Sequence, residues 1–301
     1  MPSDQVIGID LGGTAIKLAR FTAVGELLAE MEVATPQPAV PGAVTIALCE
    51  AIEQLDPHGS ADRVGVGLPG PMDAAARVAR VCINLPGWDE VPLAEWLEVR
   101  LRRRVTLAND GNCAVVGEAW RGAAQGFSDV VLLTLGTGVG GGVLLGGRLF
   151  TGHNGAAAEP GPIGVVPDGP SCNSGNRGSL EQYASIAALR RLCDRDPREL
   201  SSAASAGDVE AQAVWESYGT QLGVGIASLV YVFTPQLVLL GGGLAGAACH
   251  FLPSLRSEVE KRVQPVSREG LRIAACDLGN GAGRLGAARL ALQRLGGMMT
   301  D

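Results

Sequence analysis

The sequence predicts an α/β protein of two similar lobes, on three observations. Strand-like apolar runs alternate with helix-patterned segments along the 301 residues, as expected of sheets covered by helices. In each half, one strand enters a glycine-rich loop and leaves as a second strand. The first instance is Val6-Ile-Gly-Ile-Asp10-Leu-Gly12-Gly13-Thr14, and the second is Val130-Val-Leu-Leu-Thr134-Leu-Gly136-Thr137-Gly138. A third apolar run, Leu237-Val-Leu-Leu, ends in Gly241-Gly242-Gly243.

The elements follow in order. Residues 14–21 alternate at period two, as a strand does, so the first loop joins two strands of a hairpin. Residues 24–26 read as a turn and 27–33 as a third strand. A helix is predicted over 42–55, then a strand over 63–68 that stops at Pro69-Gly70-Pro71. Residues 93–103 read as a helix, 105–108 as a strand and 112–122 as a helix. In the second half the strand 142–145 meets Gly146-Gly147, a tight turn, and returns as 148–150. Helices are expected over 180–193, 209–230 and 283–295. The first lobe is expected to span 1–110 with the closing helix 283–301 packed back on it. The second spans 111–282, with a cleft between the two.

Composition narrows the class. The chain is 47% hydrophobic and 18% charged, enough apolar residues for a sizeable core. Its net charge is −7, which argues against nucleic acid as the main partner; Lys17 and Lys261 are the only lysines, and Arg supplies the other positive charges. Seven cysteines without a C-x-x-C pair signal neither a disulfide framework nor a redox motif, so a reduced, cytoplasmic setting is the expectation. The first five residues are too short and polar for a signal peptide. The most membrane-like stretch, 224–240, is broken by Thr234, Pro235 and Gln236. It falls short of the about 20 apolar residues of a span and reads as a buried helix followed by a buried strand.

The chemistry starts from the loops. Glycine backbone at a strand end lets N–H groups approach an anion closely, and three such loops point to nucleotide phosphates. Residues 136–141 fit G-x-G-x-x-G, but a strand follows where that fingerprint needs a helix. Residues 241–246 fit it too, late in the chain and without an acidic residue at the required spacing. No G-x-x-x-x-G-K-[ST] sequence occurs. Asp10 reads as a carboxylate near Mg²⁺ or its water shell, with Thr14 and the loop amides at the phosphates. The alternative is a turn residue capping its own loop, which Lys17 nearby disfavours. Lys17 either meets phosphate or is a solvated strand residue. Asp110, after the strand 105–108, reads as a general base at a strand's carboxyl end, where α/β ligands gather, or as a helix N-cap. Glu159 and Glu181 flank a loop rich in Gly, Pro, Ser and Asn. They suit sugar hydroxyls or are ordinary loop acids.

Together these residues carry a resemblance. Asp10-Leu-Gly-Gly-Thr14-Ala-Ile-Lys17, Gly67-Leu-Pro-Gly70-Pro-Met-Asp73, Asn84-Leu-Pro-Gly-Trp88, Asn109-Asp110-Gly-Asn112-Cys-Ala114, Thr134-Leu-Gly-Thr-Gly138 and Leu239-Leu-Gly-Gly-Gly243 resemble, in order and spacing over nearly the whole chain, the ROK family. That family contains bacterial sugar kinases and related repressors. The resemblance implies the actin/hexokinase-type ATPase fold with ribonuclease H-like lobes. It implies ATP with Mg²⁺, the phosphates at Asp10, Gly12, Gly13, Thr14 and Lys17 and at Thr134, Gly136, Thr137 and Gly138, and the nucleoside near Gly241, Gly242 and Gly243. Sugar contacts would come from Gly70, Asn84, Asn109, Asp110, Glu159 and Glu181, with Asp110 as catalytic base. Glucose is the first expected substrate. Fructose, mannose, an N-acetylhexosamine or a polyphosphate donor is the alternative, and a non-catalytic sugar-binding or regulatory protein is the alternative of another class. A homodimer is the expected assembly, with no membrane partner.

One segment departs from the family pattern, G-x-x-G-E-x-G-H followed by C-x-C-G-x-x-G-C-x-E. Here Pro162 stands at the His position, and Ser174 and Ser179 stand at two of three Cys positions; only Cys172 remains. Structural zinc needs four thiolate or imidazole ligands, and His153 does not restore the set, so no zinc is expected.

Overall fold

A computed structural model of the chain describes residues 4–82 and 85–293. The chain divides into two compact units: up to Gly126 with Leu149–Ala158 and from Asn280 onward, and Phe127–Arg148 with Glu159–Gly279. The first opens with β1 (Gln5–Leu11), β2 (Ala15–Thr22), β3 (Leu27–Ala34), α1 (Pro41–Leu55), β4 (Arg63–Leu68), β5 (Ala79–Val81), β6 (Asp89–Val91), α2 (Leu93–Leu101), β7 (Arg104–Asn109) and α3 (Asp110–Arg121). There follow β8 (Val130–Leu135), β9 (Val139–Leu145), β10 (Arg148–Leu149), α4 (Glu181–Ala184), α5 (Ile186–Leu192), α6 (Pro197–Ser205), α7 (Val209–Phe233), β11 (Leu237–Gly241), α8 (Ala248–Arg262) and β12 (Arg272–Ala275). Helix α9 (Ala282–Gln293) belongs to the first unit again.

The two sheets share one plan. The first runs β3-β2-β1-β4-β7 and the second β10-β9-β8-β11-β12. In each, the glycine loop joins an antiparallel hairpin, β1–β2 or β8–β9. On the other side of the hairpin's first strand the neighbours are parallel: β4 and β7, or β11 and β12. Parallel strands need long crossover connections, which α1, α2, α7 and α8 supply. Every residue of β4 and β11 is buried, as expected of strands covered on both faces.

Helix α9 lies on β1 and β4 because glycine opens the way. A methyl group on Gly8 would sit 1.9 Å from the Arg284 carbonyl oxygen, and one on Gly65 1.9 Å from that of Ala287. Helix α3 meets α9 the same way: Gly286 presses on the Cys113 carbonyl and Gly117 on that of Ala282. That packing holds α3 in the first unit, so the expected boundary after Asp110 falls inside this unit and is corrected to Gly126. The expected helix 283–295 starts one residue earlier, and its part beyond 293, like 294–301 of the expected boundary, lies outside the described residues.

In the second unit, α7 and α8 enclose Trp215, Tyr218 and Phe251, all fully buried. The Tyr218 and Phe251 rings meet edge-on at 5.1 Å, a favoured aromatic geometry. The apolar stretch 224–240 is the end of α7 followed by β11, and among the described residues no helix is long and apolar enough to cross a membrane. The helix expected over 180–193 is two helices. Ser185 takes an extended conformation and its side chain accepts from the Ala188 amide at 3.2 Å, capping α5. Residues 139–141 were expected in the loop and belong to β9 instead.

Candidate active site

Asp10 ends the exposed side of β1 as a half-buried carboxylate. It pairs across the hairpin with Lys17, which pairs in turn with Glu32 on β3. Gly283 at the start of α9 approaches it, since a methyl group there would lie 3.4 Å from Asp10 Cγ. Burial raises the Asp10 carboxyl above its ordinary value, and the charges of Lys17 and Arg284 pull it back in part. The loop beyond it is fastened on one side. The Gly12 carbonyl accepts from the Thr35 hydroxyl at 2.7 Å, and the Gly13 carbonyl from the Gln37 amide at 2.9 Å. Gly13 and Thr14 are exposed.

Asn109 and Asp110 divide two roles that sequence left open for Asp110. Strand β7 pairs with β4 through Leu68↔Asn109, which carries Asn109 one residue past the expected strand end. Asn109 is the cap of α3: its Oδ1 accepts from the Gly111 and Asn112 amides at 2.8 and 3.2 Å. Its Nδ2 donates to the Gly70 carbonyl at 3.2 Å, joining two expected sugar residues. Asp110 is thereby released from the cap and becomes the first helical residue, its Oδ1 accepting from the Gly111 amide at 2.8 Å. Its surface is open to solvent although protein crowds it on most sides. That burial pushes its carboxyl up to about 6, against the Gly111 hydrogen bond, and the Asp10 charge raises it further. Cys113, one turn on and fully buried, is pushed well above the ordinary thiol range by burial and by both carboxylates. Asp10 and Asp110 thus act on one spot as two mutually repelling negative charges.

In the second unit, Thr134 is the penultimate residue of β8, and Gly136, Thr137 and Gly138 form the turn to β9. The Gly136 amide donates to the Gly138 carbonyl at 3.0 Å, and the Gly136 carbonyl accepts from the Ile186 amide at 2.8 Å, which ties the start of α5 to the loop. Glu181 reaches the same loop: its Oε2 accepts from the Val139 amide at 3.1 Å. A residue expected at the sugar therefore meets the end of the second glycine loop, where phosphate is expected. Glu159 is half-buried and has its own interaction partners. Gly241 ends β11, and Gly242 follows with φ 81° against the Leu135 backbone. Gly243 opens onto free space. Asn84 lies outside the described residues.

A model of the ROK family matches residues 6–294. The chain belongs to the ROK family. It is 34% identical to the glucokinase of Thermotoga maritima, over 99% of this chain and all of the relative. It is 32% identical to an N-acetyl-D-glucosamine kinase of Salmonella dublin, over 95% of this chain and 98% of that one. A solved ROK glucokinase from Streptomyces griseus, in complex with glucose and AMPPNP, superposes with a TM-score of 0.83 at 33% identity, covering 96% of this chain and 99% of its own. The fold is accordingly the actin/hexokinase-type ATPase fold of ROK proteins, expressed in the repeated five-strand plan.

The donor chemistry separates two metals of interest in a ROK protein. Magnesium takes one or two carboxylates and completes its shell with water and phosphate oxygens, and the half-buried Asp10 carboxylate is of the kind that fits such a cation. Zinc is not fitted, because Pro162 has no ligand atom and Ser174 and Ser179 offer only hydroxyls. Among the described residues no group of three or more His, Cys, Asp or Glu is placed to hold a metal ion. Cys172 keeps a polar role instead, with its thiol 3.8 Å from Glu181 Oε1. Burial pushes that thiol up, and the Ser174 and Ser179 hydroxyls outweigh this and hold it below its ordinary value.

Sequence reasoning missed Thr35, Gln37 and Arg284. The first two stand in Thr35-Pro36-Gln37-Pro38, a polar, proline-broken end to β3 whose partner loop only the three-strand pairing reveals. Arg284 lies far along the chain and reaches Glu30 at 2.8 Å.

Proposed function

We propose that this protein is a glucokinase, transferring the γ-phosphoryl group of ATP to glucose to give glucose 6-phosphate. The observation that carries the reading is Asp110: a carboxylate freed from capping by Asn109 and tuned to about 6 beside a second carboxylate. A general base works best when its pKa lies near the operating pH. Phosphoryl transfer asks little else of the protein than positioning and charge neutralisation.

Asp110 Oδ would accept the proton of the sugar hydroxyl as its oxygen attacks phosphorus. Asn109 and Gly70, already linked, would orient the sugar, with Asn84, Glu159 and Glu181 as further contacts. Loop amides at Gly12, Gly13 and Thr14, with Lys17, would bind phosphate oxygens, as would Thr134, Gly136, Thr137 and Gly138. The Gly241, Gly242 and Gly243 turn would take the nucleoside. Asp10 would hold Mg²⁺, directly or through water, and the ion would neutralise charge on the phosphates.

A coupled measurement of ADP release over a hexose panel, with ATP and polyphosphate as donors, tests the reading. Glucose with ATP should give the highest kcat/KM. A second reading, an N-acetylhexosamine kinase, is motivated by the Salmonella relative and by Pro162, which removes a side-chain donor from the sugar loop. Higher kcat/KM on N-acetylglucosamine would favour it, and binding without turnover of any sugar would favour a non-catalytic role. The resemblance also supports a homodimer, which light scattering would test.

A further inference from the structure

Three successive carbonyls of the first glycine loop face the same neighbours. Gly12 C=O accepts from Thr35 Oγ1 at 2.7 Å, Gly13 C=O from Gln37 Nε2 at 2.9 Å, and Thr14 C=O from the Thr35 amide at 3.0 Å. In a regular strand successive carbonyls alternate in direction, so this alignment departs from the ladder and is held by two side chains. Thr35 is 3% exposed, which fixes its hydroxyl in place.

The consequence follows from peptide geometry. A trans peptide is planar, with its N–H opposite its C=O. The Gly12 and Gly13 carbonyls belong to the same peptide units as the amides of Gly13 and Thr14. Fastening those carbonyls to Thr35 and Gln37 turns the Gly13 and Thr14 N–H groups the other way. Successive N–H groups aimed together form an anion-binding concavity. The space over Gly13 is open, with nothing within 4 Å of where a side chain would begin.

We propose that Thr35 and Gln37 are positioning residues that aim the Gly13 and Thr14 amides at the terminal phosphates of the nucleotide. They touch the loop's carbonyls, not the nucleotide. The inference rests on the kinase reading, which already sets this loop at the phosphates, and deepens it by naming the two side chains that aim its amides.

Calorimetric titration of AMPPNP, and separately of adenosine, in the presence of Mg²⁺ tests this on wild type, Thr35→Val, Thr35→Ser and Gln37→Ala. Thr35→Val keeps the shape and deletes the hydrogen bond. It should weaken AMPPNP roughly five- to tenfold, about the value of one net hydrogen bond, and leave adenosine unchanged. Thr35→Ser should restore binding to within about twofold by the same argument. Gln37 is exposed, so its truncation keeps the test alive if Thr35→Val fails to fold. A purely structural brace would lower the melting temperature and leave the ratio of AMPPNP to adenosine affinity as in wild type, which would overturn the inference and spare the kinase reading. A wild type that binds no AMPPNP would overturn both.

Discussion

The acid limb of catalysis should report Asp110 directly. With a carboxyl near 6, the base is about 91% ionised at pH 7 and about 9% at pH 5, so kcat/KM for glucose should fall roughly tenfold between them. A carboxylate at its ordinary 3.8 would lose less than about a tenth over the same interval. Direct quantification of ADP across this range, rather than a coupled assay whose auxiliary enzymes titrate, gives the profile. Asp110→Asn should lower kcat by about 10²–10⁴-fold, the usual worth of a general base. It should not lower the melting temperature, because Asn keeps an acceptor for the Gly111 amide at 2.8 Å. The folded-state value lies above the unfolded one, so the ionised form is disfavoured in the native protein. Stability from this group is therefore lost as pH rises from about 4 to about 6, and above that window the Asn variant should melt at the same temperature or higher. A flat profile between pH 5 and 7, or near-normal turnover in Asp110→Asn, would refute the assignment.

Removing the neighbouring charge should move that limb: residual activity of Asp10→Asn should titrate at lower pH than wild type, because the like charge that raises Asp110 is gone. Gly65→Ala places a methyl group 1.9 Å from the Ala287 carbonyl, and should destabilise the chain by about 1–3 kcal/mol or more in denaturant unfolding. Gly42→Ala lies in the first turn of α1 with free space around the added methyl, and should stabilise by about 0.4–1 kcal/mol in the same experiment.

Much of this was legible because the signals are local. Period-two alternation and glycine punctuation place β1, β2, β4 and β8 to within a residue. What escaped depends on partners distant in sequence. Asn109 and Asp110 are both good caps, and only the pairing of β7 with β4 decides that Asn109 takes the role. Gly8, Gly65, Gly117 and Gly286 look unremarkable singly, and their reciprocal fit with α9 is a tertiary property. Helix α6 was missed although its signal is in the chain: Asp196 accepts from the Arg198 amide as the cap and Pro197 fills the first helical position, a standard pairing.

The loop 161–181 shows how a ROK protein can close this segment on itself without the family's metal pattern. Residues 161–181 are closed by the chain's own bonds. The Glu181 amide donates to the Gly161 carbonyl at 3.0 Å, Leu180 to Ile163 at 2.8 Å, and Val165 and Val166 to Gly178 at 2.8 and 3.1 Å. Cys172 bonds Asn176 at 2.8 Å, and the Asn176 side chain reaches the carbonyl of Pro162, at the family's His position, at 2.8 Å. This chain of bonds joins both ends of the loop to Glu181 as four zinc ligands would, and each bond is weak alone. Removing the link to Pro162 should therefore loosen the loop without unfolding the unit. Asn176→Ala is expected to raise the glucose KM about fivefold, the worth of one net hydrogen bond, with kcat and melting temperature near wild type. Purified wild type should carry far less than one zinc per chain, and treatment with a zinc chelator followed by Mg²⁺ should leave that KM unchanged. Stoichiometric zinc, or a glucose KM that rises on chelation and not in Asn176→Ala, would show that a metal and not this bond holds the sugar side.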